Sequence, residues 1–139
     1  MEIYEHRHIV SFEETNVAGN VYYVNYLRWQ GRVRELFLKE HAPEVLSEIN
    51  RGLTLVTTRC SCEYLSELGA FDEVVIRMQL GAITQNRISM TFEYWRQNNN
   101  REELVARGEQ QVACMSRHGQ SLSPAPLPPS LREALLPYA

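Results

Sequence analysis

The side chains able to do chemistry gather in one stretch, the loop Asn16-Val17-Ala18-Gly19-Asn20 and the helical pattern that follows it. Asn16 carries a carboxamide, which can donate and accept hydrogen bonds but holds no proton-accepting charge. It can neither attack a carbonyl effectively nor serve as a general base. Arg34 brings permanent positive charge and Tyr26 a phenol. The backbone N–H of Tyr23 falls at the expected start of a helix, where free amides favour negative charge. This is a set of donors, and it suits an oxygen on which negative charge develops. No Gly-x-Ser-x-Gly elbow is present, which argues against Ser/His/Asp catalysis, and there is no phosphate-binding glycine loop.

Each of these residues also has a plainer reading. Asn16 would serve equally as an Asx-turn residue. Arg34 would serve as a surface arginine paired with Glu35 or Glu40. Tyr22, Tyr23, Tyr26 and Trp29 are of the type that more often fills a core than a substrate box. His6 and His8, at alternate positions of a strand pattern, read as half-exposed or satisfied by hydrogen bonds. Cys60 and Cys62, two apart on a strand, share a face and read as buried reduced thiols; a zinc site would need two further ligands, from Cys114 and a histidine, by coincidence.

The positioning elements follow from periodicity. Tyr22 to Glu40 places Tyr22, Tyr23, Tyr26, Leu27, Val33, Leu36 and Phe37 on one helical face. Asn20 is the expected N-cap, leaving the amides of Val21 to Tyr23 unpaired. Gly31 inside the helix is expected to mark the close approach of another backbone. Pro43 opens a short second helix, Pro43 to Asn50. Strand patterns run over Glu5–Glu13, Leu53–Leu65, Glu73–Ile83, Asn86–Gln97 and Glu103–Arg117, with Asn98-Asn99-Asn100 as a hairpin turn. Thr57 and Arg59 are expected to share a face of the second long strand. Ser121 to Pro129 is a Pro-rich extension unsuited to a sheet interior, and Ser130 to Leu136 makes one or two helical turns. The fold class is α+β, a long helix wrapped by a curved antiparallel sheet of five or so strands. Free sheet edges make pairing with a second copy the expected cover.

The 139 residues, with 44% hydrophobic and 22% charged, read as one domain over 1–139, with 121–139 as its extension. A net charge of −3 gives no footprint for nucleic acid or an anionic membrane. The opening MEIYEHRHIV lacks a signal layout and no run approaches a membrane span, so a cytoplasmic protein is expected. Three cysteines argue against a secreted disulfide framework.

The run Asn16 to Tyr23, followed by Val24-Asn25-Tyr26-Leu27-Arg28-Trp29, resembles the hotdog-fold thioesterases of the 4-hydroxybenzoyl-CoA type. Those open with a strand, an Asp-x-x-Gly-x-Val-aromatic-aromatic segment and an aromatic-rich central helix. The resemblance extends over roughly Tyr4 to Met115 in element order. Asn16 stands where most members carry a catalytic aspartate. That change, with Tyr26 and Arg34, resembles the enediyne-biosynthesis thioesterases, which release a linear polyene from the acyl carrier protein of an iterative polyketide synthase.

The resemblance implies thioester hydrolysis by donor-assisted attack of water, without a covalent intermediate. Asn16, Arg34, Tyr26 and the Tyr23 amide would be catalytic and Gly19 would bind substrate, while Thr57 and Arg59, by their shared strand face, are expected to line the substrate pocket. It also implies a dimer-of-dimers tetramer with sites at the dimer interface. No cofactor is expected, since phosphopantetheine enters with the substrate. Glu35, on the helix where some hotdog enzymes place a carboxylate, is an alternative base, turned ~100° from Arg34. A general acyl-CoA thioesterase and a non-catalytic acyl-binding module are the competing functions.

Overall fold

The computed structural model describes residues 2–139; Met1, the first residue of the expected domain, lies outside them. In chain order the elements are β1 (Tyr4–Ile9), a 3-10 turn (Phe12–Glu14), α1 (Val24–His41), α2 (Pro43–Ile49), β2 (Leu53–Tyr64), β3 (Glu73–Ile83), β4 (Arg87–Asn98), β5 (Arg101–His118), β6 (Ser121–Pro124), α3 (Pro129–Leu135) and a closing 3-10 turn, Leu136–Tyr138. The strands form one antiparallel sheet in the order β1-β3-β4-β5-β2, with β6 on the end of β5. Its inner face wraps α1, the arrangement expected of a hotdog fold.

Burial explains why α1 lies where it does. Tyr26, Trp29, Val33 and Phe37 recur at helical spacing and are almost fully buried. They meet Ile76 and Met78 of β3, Ile88, Met90, Phe92 and Tyr94 of β4, and Val112 and Cys114 of β5 in one core. Strand alternation delivers these side chains to the same side of the sheet. The Tyr94 hydroxyl donates to the Tyr26 carbonyl at 2.8 Å, so the largest buried phenol leaves no orphan donor against the helix.

Three expectations are corrected. The helix begins at Val24, with Tyr23 and not Asn20 in the N-cap position. Neighbouring backbone is the cause: Val21 N–H donates to Leu68 O at 2.8 Å, Tyr22 N–H to Glu14 O at 2.9 Å, and Asn20 bridges Gly69. Those bonds hold residues 20–22 extended and satisfy two of the three amides expected to be free. Gly31 faces open space, with nothing within 4 Å of a Cβ placed there. Closest backbone is met at Gly108, where a Cβ would lie 2.5 Å from Ser61 O and 2.3 Å from Gln30 Nε2. Finally, β1 stops at Ile9 and not at Glu13, and Phe12, within the expected strand, is exposed in the 3-10 turn.

The Pro-rich extension does more than trail from the sheet. Ser121–Pro124 pairs with Met115–His118 beyond the start of β4, at an edge that tolerates proline. Leu127, Leu131, Leu135 and Tyr138 then bury themselves in the core. The Tyr138 ring meets Phe37 edge-on at 5.2 Å, covering the C-terminal half of α1.

Candidate active site

Asn16, Tyr23 and Tyr26 line one cavity of about 250 Å³, together with Asn20, Val21, Tyr64 and the segment Ser66–Leu68. The cavity sits at the N-terminal end of α1. Asn16 Oδ1 accepts from Ala18 N–H at 2.9 Å, an Asx turn. The turn itself orients the carboxamide, because with Oδ1 committed the NH₂ group is left to donate. Gly19, at φ 92, reverses the loop in the left-handed region that glycine tolerates. It lines the adjoining cleft with Glu67 and Arg96, one step from the cavity of Asn16.

Tyr23 N–H takes no partner among the described residues, and neither does Val24 N–H, whereas Val21 and Tyr22 N–H before them and Asn25 N–H after them are paired. Tyr64 ties the helix start to the sheet: its hydroxyl donates to the Tyr23 carbonyl at 3.0 Å, and its ring stands edge-on to Tyr26 at 4.9 Å. Burial pushes the Tyr26 phenol up to about 12, so it serves as a neutral hydrogen-bonding group near neutral pH. Tyr64 was not singled out by spacing, because its contact with Tyr26 spans from β2 to α1.

Arg34 is elsewhere. It lies eleven residues beyond Tyr23 on α1, about 16 Å along the axis. There it lines a groove of about 730 Å³ walled by Leu36, Leu46, Ile49, Leu53 and Leu55 and rimmed by Arg32, Lys39 and Arg117. Arg34 Nη1 donates to Gln110 Oε1 at 2.9 Å and to Thr57 Oγ1 at 3.2 Å. Among the described residues it forms no ion pair, which sets aside a surface pairing with Glu35 or Glu40. Glu35 is exposed on the same groove. Burial lowers the Arg34 pKa, with Glu35 opposing, yet a guanidinium starts so high that it stays charged.

Thr57 therefore reaches Arg34, but Arg59 does not join it. The β2–β5 register slips between Thr57 and Arg59, leaving Thr58 as an extra residue. Thr57 stands opposite Val112 on the inner face, while Arg59 stands opposite Gln111 on the outer one and is exposed. One inserted residue inverts the alternation, so Cys60, Cys62 and Tyr64 face inward instead. Cys60 is exposed despite its inward side, Cys62 is half-buried, and only Cys114 is fully buried. Burial pushes the Cys62 thiol up to about 11, a poor nucleophile. His8 meets Glu14 at 2.8 Å, as a hydrogen-bonded strand histidine should.

The end-of-helix cavity thus offers amide and phenol donors, with the Glu67 carboxylate on its wall and no histidine among its lining residues. Residues 10–135 match the family model described as "Thioesterase-like superfamily". The chain belongs to this superfamily. Over 99% of this chain and 97% of the other, it is 47% identical to the dynemicin thioesterase, a polyene-binding protein, with a TM-score of 0.94. A 4-hydroxybenzoyl-CoA thioesterase mutant in complex with 4-hydroxybenzoyl-CoA is 18% identical over 96% of this chain and 98% of the other, with a TM-score of 0.86, and shares the fold. An Aquifex aeolicus (strain VF5) protein carrying the name "Putative esterase" is 27% identical over 85% of this chain and 88% of its own length. As a member of the thioesterase-like superfamily with these neighbours, the protein is a hotdog-fold thioester hydrolase. No described helix is long and apolar enough to cross a membrane.

Proposed function

We propose that this thioesterase hydrolyses a linear polyene β-ketoacyl thioester presented on the phosphopantetheine of an acyl carrier protein domain. The carrier belongs to an iterative polyketide synthase of enediyne biosynthesis, and the reaction is cytoplasmic. The observation that carries the reading is Arg34, an unneutralised guanidinium held by neutral oxygens at an apolar groove. A β-keto group beside the thioester offers that charge a second oxygen, and the apolar walls suit an extended unsaturated chain. The 47% identity to the polyene-binding dynemicin thioesterase supports the same substrate class.

Water attacks the thioester carbon, and the carbonyl electron pair moves onto oxygen, where Tyr23 N–H and the Asn16 NH₂ group receive it. Collapse breaks the C–S bond, and the departing thiolate takes the proton released by the attacking water. The products are a free carrier thiol and a β-keto acid, which can lose CO₂ afterwards. Asn16 acts only as a donor, so no acyl group is held on the protein and no cofactor is required.

Arg34 and the Asn16 cavity lie apart within one chain, so a second copy is taken to complete the site. The free β2 edge and the exposed Tyr64 and Leu65 beside it favour a dimer paired there, two such dimers making the tetramer. The test is incubation with a polyene-loaded carrier, followed by mass spectrometry of carrier and products. Free carrier with released β-keto acid or its decarboxylated ketone is expected. A carrier that stays loaded while simple acyl-CoA is hydrolysed would replace this reading with a general acyl-CoA thioesterase.

A further inference from the structure

Gln110 is the buried partner of Arg34, and no role follows for it from the catalytic set above. It lies on β5, 4% exposed, opposite Cys60 of β2 and Met90 of β4. Its Oε1 takes the shorter of the two hydrogen bonds from Arg34 Nη1, 2.9 Å against 3.2 Å to Thr57. A half-buried arginine usually draws a carboxylate, which satisfies its donors and cancels its charge together. Four sheet arginines do so: Arg7 pairs with Glu73, Arg77 with Glu5 and Glu102, Arg96 with Asp72 and Glu103, and Arg107 with Glu63, and of these Arg77 and Arg96 are the partly buried ones comparable to Arg34.

At Arg34 the two jobs are separated. A carboxamide and a hydroxyl fix one end of the guanidinium while its charge stays whole. The Nε atom is buried without a partner, so the group is only partly satisfied in the free protein. An unneutralised, incompletely bonded cation beside a cavity is poised for an anionic or strongly polarised oxygen.

We propose that Gln110 is a positioning residue for thioester hydrolysis, a neutral clamp that aims the Arg34 charge at the substrate without cancelling it. The proposal rests on Arg34 acting on the acyl oxygens, as in the function proposed above. Replacing the neutral acceptor with an isosteric carboxylate would keep the hydrogen bond and remove the charge. Glutamate at this place should therefore preserve the fold while slowing the reaction.

The test compares wild type with Gln110→Glu, Gln110→Leu, Arg34→Ala and the double variant Arg34→Ala/Gln110→Glu, using a β-ketoacyl thioester. The expected results are a wild-type or higher melting temperature for Gln110→Glu with kcat lowered on the order of 10–100-fold, and no further loss when Gln110→Glu is added to Arg34→Ala. A Gln110→Glu enzyme that turns over like wild type, while Arg34→Ala is slow, would overturn the clamp and leave the proposed function standing. An Arg34→Ala enzyme at full rate would overturn both. If Gln110→Glu does not fold, guanidinium chloride at millimolar concentration decides the matter. It should restore Arg34→Ala, and restore Arg34→Ala/Gln110→Leu several-fold less; equal restoration in the two would refute the role of Gln110.

Discussion

Trp29 Nε1 donates to Glu14 Oε2 across 2.8 Å, joining the 3-10 turn before the Asn16 loop to the second turn of α1, fifteen residues on. The other carboxylate oxygen accepts from Ser11 N–H at 2.8 Å and meets His8 Nε2 at the same distance. The Glu14 carbonyl meanwhile accepts from Tyr22 N–H and from Asn25 Nδ2. One residue thus grips the chain on both sides of the Asn16 loop, and the loop has little freedom left to misplace its carboxamide. Rigid support of this kind is what donor catalysis requires, because a donor must already point at the oxyanion when charge forms.

Burial alone would raise the Glu14 pKa, but the Ser11 amide, His8 and Trp29 together outweigh it and hold the carboxyl below its ordinary value. A depressed carboxyl pKa stabilises the fold above the unfolded value of about 4.3, and that contribution is lost as pH falls through the lowered folded value. Glu14→Gln should therefore cost about 1–3 kcal/mol at pH 7. It should also lose less stability than wild type on acidification from pH 5 to 3. Urea denaturation at a series of pH values measures both.

Asn16→Ala and Arg34→Ala should each slow hydrolysis about 10²–10³-fold, the usual cost of a lost oxyanion donor. Steady-state kinetics on a β-ketoacyl thioester tests this, and unchanged turnover in both would remove the pair from the mechanism.

Because Asn16 and Arg34 line different cavities of one chain, they should complement each other between chains. Mixing Asn16→Ala and Arg34→Ala protomers, each nearly inactive alone, should restore about a quarter of wild-type sites if copies pair at random across an isologous interface. A mixture no more active than its parents would place each complete site within a single chain.

Gly108→Ala should destabilise the protein by about 1–3 kcal/mol, because the new methyl would collide with Ser61 O and displace the buried Gln30 amide. Gly31→Ala, facing open space in the middle of α1, should instead be neutral or gain up to about 1 kcal/mol. Parallel melts of the two variants separate the cases.

Leu131, on the buried face of α3, is 1% exposed, so Leu131→Ala should cost about 2–5 kcal/mol if the C-terminal segment is part of the cooperative fold. Denaturant titration checks it, and a change under 0.5 kcal/mol, within ordinary surface-substitution scatter, would mean that the segment is only draped on the core.

Local repetition made most of the architecture legible. The alternation of Val74, Ile76, Met78 and Leu80 gave β3 its observed limits, and three asparagines marked the β4–β5 hairpin, where Asn99 and Asn100 take positive φ. Helical spacing found α1, and residue chemistry alone sets what a carboxamide at Asn16 is able to do: donate a hydrogen bond, but not act as a base. The tertiary structure decided what depends on a neighbour from far along the chain. The loop segment Leu68–Gly69 delays the helix start, and the Tyr23 amide is left without a partner among the described residues. A single extra residue at Thr58 sends Arg59 outward and Tyr64 inward, because strand parity is set by the pairing partner and not by the strand's own pattern. The same holds for Gln110: nothing in its sequence neighbourhood marks it, and only the fold lays it against Arg34, seventy-six residues away.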